Sequence, residues 1–116
     1  MAIKRISPGT INSRAVVHGN VAYLSGFTAA DTSGGVADQT RQILKRVDEV
    51  LAEAGSDKTR ILAAQIILAD IATRDEMNAV WSAWLDKAHL PARMCTGGAL
   101  HSPTCLVEIM VTAAVD

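Results

Sequence analysis

Two apolar rhythms run through the chain, and the clearest lies near its end. Val107, Ile109, Val111 and Ala113 fall on every second position, with Leu106, Glu108, Met110 and Thr112 between them. A period of two marks a β-strand with two distinct faces. Glu108 is the only charge in the apolar run from Cys105 to Val115. Just upstream, Arg93 and Cys95 share one face of a second strand, and Ala92, Met94 and Thr96 share the other. Pro91 suits the start of that strand, where a missing backbone donor does least harm. Gly97, Gly98, Ser102 and Pro103 make the connection turn-like. The stretch from Leu90 to Ala114 therefore predicts two neighbouring strands joined by a turn, each with one charge at an apolar position.

The earlier chain reads as strand, strand, strand, helix, strand, helix. Ile3 to Ile6 forms a short strand that Ser7-Pro8-Gly9-Thr10 breaks. Gly19-Asn20, between Ala15–His18 and Val21–Gly26, signals a two-residue hairpin turn of type II′. Val21, Tyr23 and Ser25 share a face of the partner strand. Thr28 to Gly35 is a small, polar loop. From about Val36 to Ala54, Ile43, Leu44, Val47, Val50, Leu51 and Ala54 recur at three- and four-residue steps, predicting a helix that Gly55 stops. Ile61 to Leu68 is apolar on both faces apart from Gln65, which predicts a central strand covered on both sides. Thr73 and Glu76 read as a capping box. They open a helix with Met77, Val80, Trp81, Trp84 and Leu85 in one stripe, and Asn78 on its flank. The expected architecture is α+β: about six strands in one mixed sheet, with two helices packed on one face. The other face, carrying Leu106, Glu108 and Met110, is left uncovered. The cheapest cover is another copy of the chain in closed symmetry.

One domain is the natural count for 116 residues. With 49% hydrophobic and only 3% aromatic residues, its core must be aliphatic. A formal net charge of -1 without a basic block argues against grip on a phosphate backbone. Cys95 and Cys105 both fall in the expected paired strands, but two cysteines make no disulfide framework and read as free thiols in a reducing cytoplasm. Met1 to Ile6 is charged and short, unlike a signal peptide, and no apolar run is long enough to span a membrane. His18, His89 and His101 are scattered without ligand spacing, so no metal is expected.

Arg93 and Glu108 admit two readings from their residue types. They form a structural ion pair or decorate a solvated sheet face, or they build a small-molecule site. In a site, Arg offers a planar fork to a carboxylate, and Glu offers a base or positions water. Cys95 reads as a small residue lining a cleft; a nucleophilic role lacks a histidine at a recognisable partner position.

Taken together, these segments resemble the RidA/YjgF family of reactive-intermediate deaminases, and the short YoaB-like branch within it. The resemblance runs from Gly19 to Ala114. Its motifs are Tyr23-Leu24-Ser25-Gly26, Gln39 to Leu44, Glu53-Ala54-Gly55-Ser56 and Met77 to Trp81. The most specific are Pro91-Ala92-Arg93-Met94-Cys95 and Leu106-Val107-Glu108-Ile109. It implies a chorismate-mutase-like fold and a homotrimer around a central barrel, with clefts between neighbours. It implies hydrolysis of enamines and imines such as 2-aminoacrylate to a 2-keto acid and ammonia, without cofactor or metal. Arg93 would hold the substrate carboxylate and Glu108 would position or activate water. Ser25, Gly26, Asn78 and Cys95 would line the pocket. The alternative is a non-catalytic trimer that binds a small carboxylate as a sensor or buffer; a third reading is a specialised deaminase of a catabolic pathway. No nucleic-acid or membrane partner is expected. The chain departs from the family pattern at three places. The tyrosine before the second strand is missing, with Arg14 nearby; Phe27 stands where glutamine is usual; and Thr96-Gly97-Gly98 follows the cysteine. These departures alter the pocket wall and bear first on substrate scope.

Overall fold

The computed structural model describes residues 1–116. Six strands and two helices form in the expected order. They are β1 (Ile3–Pro8), β2 (Ser13–His18), β3 (Val21–Leu24), α1 (Val36–Glu53), β4 (Ile61–Leu68), α2 (Arg74–Trp84), β5 (Ala92–Gly97) and β6 (Val107–Ala114). One mixed sheet runs β1-β2-β3-β6-β4-β5. All pairs are antiparallel except β4 with β5. Gly19 turns the β2–β3 hairpin at φ +62°, while Asn20 keeps a negative φ, which is the type II′ pattern.

The core is aliphatic. Ile43, Leu44, Val47, Val50 and Leu51 of α1, with Met77, Trp81 and Leu85 at α2, bury themselves against Ile66, Leu68, Val107, Ile109 and Val111 of the sheet. Both helices therefore cover one face only. The other face is bare, and Ile3, Tyr23, Leu62, Met94 and Met110 are exposed there or along its rim. No helix is long and apolar enough to cross a membrane.

Four local expectations are corrected. β5 and β6 are not neighbours. β5 follows a helical crossover and pairs parallel with β4, which takes the place between them. Consequently Arg93 and Glu108 do not sit on adjacent strands. β4 is central, but its outer face is not covered within the chain: Ala63 and Gln65 are exposed there. Cys105 is buried in the turn before β6, not in a strand. Lastly, the capping box does not form. Thr73 ends a 3-10 turn, Ile71–Thr73, at φ -86° and ψ 7°, away from the extended geometry of an N-cap, and its side chain accepts no N–H from the first turn of α2.

One buried polar side chain ties the loops to this frame. Gln39 is fully buried on α1. Its Nε2 donates to the carbonyls of Gly34 (3.1 Å) and Thr104 (3.0 Å), and its Oε1 accepts from Leu106 N (2.9 Å). The loop before α1 and the turn before β6 are thereby pinned to the same helix. Burying an amide is tolerable because both its ends are satisfied. Replacing Gln39 with leucine keeps the bulk but orphans those backbone groups. Gln39→Leu is expected to lower unfolding free energy by about 3 kcal/mol, read from urea denaturation. A loss within error of zero would contradict this role.

Candidate functional site

Arg93 leaves β5 on the helix-covered face. Pairing with Ala64, which in turn faces Val111, fixes this side; Cys95 follows through Ile66 and Ile109. Because β5 is an edge strand, the side chain reaches α2 at the rim of the sheet. There Arg93 Nη1 donates to Asn78 Oδ1 at 2.6 Å, and the guanidinium carbon stands 5.7 Å from the Trp81 ring centroid. A planar cation over an indole face is held by the ring quadrupole. Asn78 takes one of the five guanidinium donors. The others have no partner in the chain, and no carboxylate pairs with Arg93. The result is an oriented fork with open valence. Cys95 lies half-buried two residues along the same face.

Glu108 leaves β6 on the bare face, opposite Ile67. It is half-buried and forms no ion pair. The carboxylate lies against Gly26: a Cβ there would clash with Oε2. Gly26 is thus glycine because the carboxylate occupies the space a side chain would need. The approach is set by a bridge in which Phe27 N donates to Ile109 O (2.9 Å) and Ile109 N to Phe27 O (3.1 Å). Ser25 sits next to Gly26, its hydroxyl donating to Ser13 O at 2.6 Å. Beside them opens a polar cleft of about 530 Å³ whose wall includes Arg14, Ser25, Gly26, Phe27 and Arg46.

The six residues named from the sequence therefore form two clusters. Arg93, Asn78 and Cys95 belong to one; Glu108, Gly26 and Ser25 belong to the other. The register puts the Arg93 and Glu108 α-carbons about 14 Å apart across two strand spacings, with side chains on opposite faces. They do not pair within one chain. Trp81 belongs to the apolar stripe of α2, and its spacing of three from Asn78 places both on one side of that helix. Arg46, which stacks 5.0 Å from the Phe27 centroid, carried no signal in the sequence. Phe27 itself is a core residue, 5% exposed. Gly97 packs on the 3-10 turn, where a Cβ would come within 3.3 Å of Ile71 Cβ. No three His, Cys, Asp or Glu side chains gather closely enough to hold a metal ion.

A mixed sheet with two helices on one face, an unpaired arginine at its rim and an unpaired glutamate on its bare face define a small α+β protein with a split polar site. The chain belongs to the RidA/YjgF family: the family model described as Endoribonuclease L-PSP matches residues 2–115. It is 36% identical to the RutC family protein YoaB of Escherichia coli, over 99% of this chain and 100% of that one. It is 35% identical to a human protein named 2-iminobutanoate/2-iminopropanoate deaminase, over 75% of this chain and 69% of the human one. A solved member of the YjgF family from Neisseria meningitidis superposes with a TM-score of 0.97 at 37% identity, covering 100% of this chain and 97% of that one.

The contact at Gly26 gives a direct test of the Glu108 position. Gly26→Ala is expected to rotate the carboxylate away with a stability cost below about 1 kcal/mol, since the clash is with the end of a flexible side chain. A crystal structure of the variant and its thermal melt check both points. An unmoved carboxylate would contradict the packing described.

Proposed function

We propose that the protein hydrolyses small reactive imines and enamines, of the 2-aminoacrylate type, to 2-keto acids and ammonia. We further propose that it does so as a homotrimer, in clefts where Arg93 of one copy meets Glu108 of the next. The observation that carries this reading is the split site itself. Arg93 and Glu108 are both oriented, both unpaired, and on opposite faces of one sheet. A rim fork and a bare-face carboxylate come together only when a second copy lays its β5 edge over the first copy's open face. The exposed Tyr23, Met94 and Met110 on that face favour such cover. Relatives named imine deaminases supply the reaction class.

The chemistry asks little of the protein. An imine carbon conjugated to a carboxylate is already electrophilic, so no covalent nucleophile is required. The Arg93 fork, held by Asn78 and Trp81, takes the substrate carboxylate through two parallel N–H bonds. Glu108 accepts a proton from water as its oxygen bonds to the imine carbon. That proton passes to nitrogen, the carbinolamine expels ammonia, and the carbonyl forms. An enamine such as 2-aminoacrylate first becomes the imine as a proton moves from nitrogen to its terminal carbon; water then adds across C=N and ammonia leaves, so the balance needs no oxidant and no cofactor. Cys95 lines the cleft without bonding to substrate. The partner is a small metabolite rather than a nucleic acid, consistent with a net charge of -1, and the compartment is the cytoplasm, where such intermediates arise.

Pyruvate release from 2-aminoacrylate, generated in situ by a serine dehydratase, tests the activity. Wild type is expected to exceed the spontaneous rate. Arg93→Ala should lower kcat/KM by roughly 10- to 150-fold, the equivalent of a charge-assisted contact. Glu108→Gln should lower kcat by about 100-fold or more. Binding of the substrate carboxylate with no turnover in wild type would instead favour a sensor. Assembly is tested separately: Met110→Glu, buried under a second copy in this reading, should shift light scattering from trimer toward monomer. A wild-type monomer at micromolar concentration would contradict the assembly.

A further inference from the structure

The cleft lined by Gly26, the residue against which the Glu108 carboxylate lies, carries positive charge that the reaction above leaves unused. Its eleven lining residues include Arg14 and Arg46 and no acid. Neither arginine has an ion-pair partner; the two ion pairs of the chain are Arg60–Asp116 and His89–Asp86. The adjoining hollow adds Lys45, with Glu49 as its single acidic side chain. Arg46 is held in place over the Phe27 ring at 5.0 Å. Arg14 stands directly across from Ser25, whose N–H donates to Arg14 O at 2.9 Å. Side chains opposite each other on paired strands share a face, and both line the cleft. Ser25 adjoins Gly26, which touches the Glu108 carboxylate. The Arg14 and Ser25 backbones therefore stand about one strand spacing, roughly 5 Å, apart.

We propose that the preferred substrates are imines bearing a second carboxylate, with Arg14 as the specificity-determining residue that binds the distal anion. The inference rests on the deaminase reading and deepens it. Arg93 takes the carboxylate next to the imine carbon, Glu108 delivers water, and Arg14, supported by Arg46, takes the far carboxylate. A guanidinium suits this because its planar fork matches a carboxylate bidentately. A monocarboxylic imine leaves Arg14 solvated and gains nothing from it.

The test compares 2-iminosuccinate with 2-iminopropanoate, each made in situ by an amino acid oxidase and followed as imine lost to competing semicarbazide. Wild type, Arg14→Gln and Arg14→Lys are run together, with thermal melts to confirm folding. Wild type is expected to favour iminosuccinate. Arg14→Gln should lower the ratio of the two kcat/KM values at least tenfold, and Arg14→Lys should restore part of it. An equal fall on both substrates, or an unchanged ratio, would overturn the proposal. If neither imine is turned over, the deaminase reading has failed, and calorimetry with succinate and propionate decides the anion site separately. Succinate bound at least tenfold more tightly than propionate, with the margin lost in Arg14→Gln, supports it. Equal or absent binding overturns it.

Discussion

The pleat of the sheet governs everything else in this molecule. Side chains on a strand alternate between faces, and paired residues share a face. Once Ala64 pairs with Arg93 and Ile67 with Glu108, the two charged side chains must leave opposite sides of the same sheet. A shift of one residue in either strand would move one of them across. In β6 it would also drive Val107, Ile109 and Val111, all buried, out of the core. The hydrophobic stabilisation of the core thus enforces the separation of the polar groups. The reading of function follows from that separation: two prepared halves that cannot meet inside one chain.

Each half is prepared in its own way. The arginine is oriented from outside by one hydrogen bond and one aromatic face, both from α2, so its position depends on how that helix docks. The glutamate is oriented by an absence, the missing side chain at Gly26, and by the backbone bridge between Phe27 and Ile109. Gln39 contributes at a distance. By binding Gly34, Thr104 and Leu106 at once, it fixes the turn that feeds Glu108 into β6. Neither charge is neutralised in place, so both retain full capacity for a partner. Unpaired, partly buried charges of this kind carry a desolvation cost that structure alone does not require.

Much of this was legible in the chain. Period-two alternation gave β6 its faces, and the 3.6-residue period gave α1 and α2 within a residue or so. The family motifs named all six members of the two clusters. What the pattern could not give was which strands lie side by side. β5 and β6 are consecutive and joined by Gly and Pro, so a local pairing was the natural expectation. The crossover through α2 instead paired β5 with β4, a choice made by long-range packing rather than by turn chemistry. The capping box failed for a similar reason: Thr73 belongs to a 3-10 turn begun at Asp70, and its backbone there departs from N-cap geometry. Arg46 became visible only when its helix was docked, since it reads as an ordinary surface residue along α1.

The most direct measurement of the central claim mixes two inactive variants. Arg93→Ala keeps a sound Glu108, and Glu108→Gln keeps a sound Arg93. The two are unfolded together, refolded at equal amounts, and assayed with 2-aminoacrylate. If each cleft draws Arg93 and Glu108 from different copies of a closed ring, about a quarter of the clefts regain both groups. Activity should then return to about a quarter of the wild-type value. If one chain supplies both residues to the same cleft, no mixed assembly carries an intact site. Activity that stays at the level of the separate variants, in a mixture shown to contain mixed oligomers, would contradict the split-site account.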